Sequence, residues 1–102
     1  MPISKTKLLS LILSKFEAQI YERSALLSKS LKGRDLEEQI KLMTEEIHEL
    51  IDLVKYNKAD PRVIDYLKDA QRAINSFVSG TISQEELTNI LHEVKEYLNE
   101  FI

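Results

Sequence analysis

The sequence predicts an all-α protein, an antiparallel up-down-up-down four-helix bundle. Three stretches carry the same apolar seam: Leu36, Ile40, Met43, Ile47, Leu50, Val54; then Val63, Leu67, Ala70, Ile74, Phe77; then Leu87, Leu91, Val94, Leu98, Phe101. Steps of four alternate with steps of three. A period of about 3.5 residues lets a helix bury one stripe against its neighbours. Helix start and stop signals stand near each boundary. No segment alternates apolar and polar residues in the way a half-buried strand requires.

The first helix is expected over residues 4–31. Ser4 is a suitable N-cap, because its hydroxyl can accept from an unpaired N–H of the first turn. Its seam reads Leu9, Leu13, Phe16, Ile20 and Leu27, with Arg23 where an apolar residue should stand. Leu8, Leu11 and Ile12 widen the apolar surface of its first half. Gly33 supplies the stop, as glycine commonly does just past a helix end.

The second helix is expected over 35–56, with Asp35 and Glu38 at capping-box spacing. The third is expected over 61–79. Asp60 is its cap, Pro61 its first residue, and Ser79-Gly80 its end. The fourth is expected over 83–101, opened by a Ser83/Glu86 capping box. Connections this short force sequential helices to run antiparallel, with crossings of about 20°.

A chain of 102 residues with 43% hydrophobic and 30% charged content reads as one domain, residues 1–102, with one core. Without cysteine there is no disulfide and no thiol chemistry. Lys5 and Lys7 before Leu8-Leu9 resemble the start of a signal peptide. The apolar run is short, and Lys15 closes it with no small-residue cleavage site beyond. It reads as mature helix, and no run is long enough to span a membrane. The net charge of -3 is unevenly spread. Residues 1–34 hold seven basic residues against two acids, and the remainder seven against fifteen. A basic first helix packed beside acidic ones accounts for this. Lys5, Lys7 and Lys15 with their apolar neighbours also form a candidate contact for an anionic surface.

Few chemistries find a site. Glu45 and His48 make half of a ferritin-like Glu-x-x-His pair. His92, the only other histidine, has Asn89 three residues before it, and neither Glu45 nor His48 lies on the seam. They are expected to face outward, so no metal or cofactor is assigned. Glu45-Glu46-Ile47-His48-Glu49 also resembles the magnesium-binding helix of MazG-type nucleotide pyrophosphohydrolases. The second acidic pair is out of order, because Asp65 and Asp69 stand four apart. The serines of the first helix have no histidine close in sequence and no nucleophile-elbow turn. The acidic balance and the lack of a helix-turn-helix pattern argue against nucleic acid. Arg62 and Arg72 are expected to pair locally with Asp65 and Asp69. Phe101 and Ile102 at the chain end either pin the fourth helix or are offered to a partner.

An acidic, cysteine-free bundle of this length with a lysine-bearing first helix resembles the immunity proteins of pediocin-like bacteriocins. These are the enterocin A type of lactic acid bacteria and streptococci. The local match is Leu53-Val54-Lys55-Tyr56, the turn Asn57 to Asp60, and Pro61-Arg62-Val63-Ile64. The long first helix and the lack of an extended tail depart from that pattern. The resemblance implies a non-enzymatic, cytoplasmic role. The chain would recognise a mannose phosphotransferase-type membrane receptor once a bacteriocin has engaged it, and would block the pore. It also implies a specificity surface in the C-terminal half, where position and exposure select Lys95, Glu96, Tyr97, Glu100 and Phe101. A monomer, with peripheral contact at the inner membrane face, fits this role. A dimeric helical adaptor is the alternative, and a MazG-like pyrophosphohydrolase a more distant one.

Overall fold

The computed structural model describes residues 4–27 and 33–101. Among the described residues the ordered elements are all helical. α1 (Lys5–Phe16) runs directly into a π-helical turn (Glu17–Tyr21) and then α2 (Glu22–Leu26), and the three make one continuous first arm. α3 (Arg34–Tyr56), α4 (Pro61–Val78) and α5 (Gln84–Asn99) follow.

The first arm packs on α3 and α5, and α4 packs on the same two. Side-chain pairs set the directions. Gln39 of α3 meets Arg23 near the end of the first arm, and Gln84 at the start of α5 meets the carbonyl of Ser24. Phe101, just after α5, lies against Tyr66 near the start of α4. Neighbours are therefore antiparallel, as expected, in a molecule of 42 × 22 × 19 Å.

The three matched seams are the core. Met43, Ile47, Leu50 and Val54 of α3, Val63, Leu67, Ala70 and Ile74 of α4, and Leu87, Leu91, Val94 and Leu98 of α5 are all buried. Leu36, Ile40, Phe77 and Phe101 pack at its ends, partly exposed. Removal of this apolar surface from water is the main force holding the bundle.

The first arm departs from expectation. Its buried stripe is Leu8, Ile12, Phe16, Ile20 and Leu27, while Leu9 and Leu13 are only half-buried. The gap falls at Ser24, which is 0% exposed, and Arg23 stands beside the stripe. From Leu8 to Ser24 every step is four residues. In a regular α-helix such a stripe drifts by about 40° per step. The π turn absorbs one residue, and the Glu22 N–H reaches back five residues to the Glu17 carbonyl. That returns the lower half of the stripe to the core.

The caps at three helix starts are as expected. Ser4 accepts from the Lys7 N–H at 3.3 Å, and Asp60 from the Arg62 N–H at 2.9 Å. Ser83 and Glu86 exchange both bonds of a capping box. The start of α3 differs. Gly33, at φ 56 and ψ -120, is its N-cap, with no side-chain bond, and Asp35 lies inside the first turn. Only glycine enters that conformation easily, so Gly33 opens α3. The expected end of the first helix, at residues 28–31, lies outside the described residues, as does Ile102.

α3 and α4 end alike. The Ala59 N–H reaches the Val54 carbonyl at 3.0 Å, and the Thr81 N–H reaches the Ser76 carbonyl at 2.9 Å. Each is the long bond of a Schellman motif, which needs a left-handed residue between. Gly80 fills that place after α4 with φ 81, and Lys58 fills it after α3 with φ 53.

Candidate interaction surface

α5 buries Val94 and Leu98, which turns the intervening residues towards solvent or towards the flanking helices. The five positions selected from sequence fall into three settings. Lys95 faces the first arm. Its ammonium lies 5.0 Å from the centre of the Tyr21 ring and 3.8 Å from Glu17. Both partners come from the π turn. Tyr97 and Phe101 face α4. The Tyr97 ring stacks on Tyr66 at 5.1 Å and 16°, and Phe101 tilts against Tyr66 at 5.8 Å. The Arg62 guanidinium sits 5.0 Å over the Phe101 ring. Glu96 and Glu100 are exposed, and Glu96 lies 3.7 Å from His92 Nε2.

Phe101 therefore pins the end of α5. Tyr97, 44% exposed, still offers an edge to solvent. Stacking holds that ring in place, so little rotamer freedom remains to be lost on binding. Glu96, Tyr97 and Glu100 form the free part of the face. The sequence reading did not place Arg62 and Tyr66 beneath it, since they are some thirty residues away. Arg62 does not pair with Asp65 as expected. It grips Asp60 through Nε and Nη2, at 3.0 and 2.6 Å from Oδ2. These bonds and the Arg62 N–H hold the Asp60 carboxyl at about 2, below its ordinary 3.8. Arg72 does pair with Asp69, as expected.

On the other side of α5, Ser24 is built into a polar network. Its hydroxyl donates to the Tyr21 carbonyl at 2.6 Å and lies 3.4 Å from Thr88 Oγ1. Gln84 Nε2 donates to the Ser24 carbonyl at 2.7 Å and to Thr88 Oγ1 at 3.1 Å. The buried hydroxyl is satisfied, as burial requires.

The acidic cluster of α3 faces outward as expected. Glu45 and His48 are exposed, and Glu45 lies 4.0 Å from Lys41. Glu46 is half-buried. Burial raises its pKa above 4.5, helped by the neighbouring Glu49 and opposed by Lys15. Asp65 and Asp69 are exposed on α4. Among the described residues no three His, Asp or Glu side chains are grouped to hold a metal ion. An open groove of about 390 Å³ between α3 and α4 is lined by His48, Asp52, Lys55, Lys68, Gln71 and Arg72. The Gln71 carboxamide oxygen there is buried without a partner, while its nitrogen donates to Asn75.

The three lysines of the first arm separate. Lys5 and Lys7 are exposed at the start of α1. Lys15 is half-buried in a groove with Glu49, Asp52, Leu53 and Tyr56 of α3, so basic and acidic helices do meet there. No helix among the described residues is long and apolar enough to cross a membrane. No protein-family model, curated protein or solved structure matches the chain.

Proposed function

We propose that the chain is a bacteriocin immunity protein of the pediocin-like type, a non-enzymatic recognition module acting inside the producer cell. The observation that carries this reading is the rigid outer face of α5, where Glu96, stacked Tyr97 and Glu100 stand clear of the core. A fixed aromatic edge flanked by carboxylates suits selective contact with a protein partner. That partner is the mannose phosphotransferase-type receptor once a bacteriocin has engaged it. The resemblance in length and helix order supports the same reading.

The test is expression in a bacteriocin-sensitive strain and challenge with a panel of pediocin-like peptides. At least one peptide should be resisted. Tyr97→Ala should abolish that resistance while the purified protein keeps its helical spectrum. If no peptide is resisted at normal expression, the proposal fails. Dimerisation on size exclusion without protection would favour a helical adaptor instead. Magnesium-dependent pyrophosphate release from nucleotides, lost in Glu46→Gln, would favour the pyrophosphohydrolase.

A further inference from the structure

We infer that one end of the bundle, built around Lys5, Lys7, Tyr56 and Lys58, docks end-on against an anionic phospholipid surface. This does not rest on the immunity reading. α1 and α4 begin at this end, and α3 and α5 finish there. Folding therefore brings Lys5 and Lys7 to the same end of the bundle as Lys55, Lys58 and Arg62, which the sequence keeps some fifty residues away. Lys5 and Lys58 line one open cleft of about 440 Å³. Among the described residues the acids nearest this end are Asp60, already held by Arg62, and Glu100, with Asp52, Asp65 and Glu96 a turn further in. The opposite end shows Asp35, Glu37, Glu38, Glu85 and Glu86 among the described residues, interspersed with Arg23, Arg34 and Lys41.

Exposed apolar groups accompany the cations. Tyr56 is 83% exposed, the highest value among the large hydrophobics, and Leu11 is 39% exposed on the same side of α1 as Lys7 and Lys15. Tyr56 borders a groove with Lys15, Glu49 and Asp52. An exposed tyrosine with lysines at the same end of the bundle suits a bilayer interface, where the ring sits among headgroups and each cation meets phosphate. Geometry favours a planar surface over a polyanion that could wrap the molecule. Docked end-on, the 42 Å length holds the acidic end several Debye lengths (about 10 Å each at 0.1 M) from the membrane. A nucleic acid lying along the bundle would meet the acids of α3.

Lys58 adds an independent sign. It occupies the left-handed place that Gly80 fills after α4. Glycine would be the easier residue there, so lysine stands against a backbone preference. That separates function from stability in one variant. Lys58→Gly should raise the midpoint of thermal unfolding and weaken lipid binding.

The experiment is sedimentation of the full chain with vesicles of phosphatidylcholine alone, or of phosphatidylcholine with one third phosphatidylglycerol. The protein should sediment with the anionic vesicles only, and less as salt rises. Lys58→Gly and Lys5→Ala should each lower partitioning about fivefold, the equivalent of about 1 kcal/mol. Tyr56→Ser should weaken it further, and Lys41→Ala, far along α3, should leave it unchanged. Absence of sedimentation with anionic vesicles would overturn the inference. So would equal loss in Lys41→Ala, or tighter retention by single-stranded DNA than by the vesicles. None of these outcomes bears on the peptide challenge, which reads the α5 face.

Discussion

Along α3 the buried residues alternate steps of four and three, and the helix is regular from Arg34 to Tyr56. Along the first arm Leu8, Ile12, Phe16, Ile20 and Ser24 are four apart throughout, and the helix widens into a π turn. The two regions fill one core by different means. Where apolar spacing matches the helix, sequence alone keeps the stripe facing inward. Where it exceeds the helix, the backbone takes up an extra residue. The π turn also places Glu17 and Tyr21 around Lys95 of α5.

The largest expected effect comes from deleting one residue in each region. Deletion of Glu45 from α3 turns Ile47, Leu50 and Val54 about 100° away from the core. That variant should lose cooperative thermal unfolding. Deletion of Ala18, exposed within the π turn, leaves Leu8, Ile12, Phe16 and the shifted Ile20 and Ser24 at spacings of four, four, three and four. A regular α-helix then serves, and the fold should survive with a melting midpoint near that of the parent. If deletion of Ala18 unfolds the protein as deletion of Glu45 does, the π turn does not absorb the extra residue.

Truncations come next. Phe16→Ala in the first arm should cost about 3–5 kcal/mol, and Ile47→Ala in α3 about 2–5 kcal/mol, because both leave cavities at sites with no exposure. Urea denaturation followed by circular dichroism measures both. A much smaller loss for Phe16→Ala would mean that the first arm is the looser part of the core.

Ser24 makes a smaller difference. Ser24→Ala removes the hydroxyl that bonds the Tyr21 carbonyl and should cost about 1 kcal/mol in the same assay. An increase in stability would show that this point of the stripe prefers an apolar residue, as the seams of the other helices do.

The seams of α3, α4 and α5 were legible because only one register of each places apolar residues at a 3.5-residue period. The first arm was not. Leu8, Leu9, Leu11, Ile12 and Leu13 allow two registers, and both pass through Phe16 and Ile20. Nothing local marks the π turn that selects between them. Asp60, Ser83 and Glu86 were legible as caps, since their partners lie within three residues. Asp35 misled, because the left-handed backbone at Gly33 opens α3 without a side-chain bond. On the candidate surface, Tyr97 and Phe101 could be selected from the sequence. Their neighbours Arg62 and Tyr66 depend on tertiary packing. The same holds for Lys58, which joins Lys5 only when α3 and α4 are folded against α1.

The smallest expected effect lies where the two regions meet, at Glu46 beside Lys15. Burial raises the Glu46 pKa above its ordinary 4.5, with Glu49 adding to the rise. Between the unfolded value and the higher folded one, the folded state binds more proton than the unfolded. Stability must therefore fall as pH rises through that window. Glu46→Gln removes the ionisation. Relative to the parent, the variant should be slightly more stable at pH 7, and the gain should vanish below about pH 4.5. Thermal midpoints at pH 7 and pH 4 measure this directly. If Glu46→Gln instead loses stability at pH 7, attraction to Lys15 outweighs burial, and the contact between basic and acidic helices holds the first arm more firmly than its apolar stripe suggests.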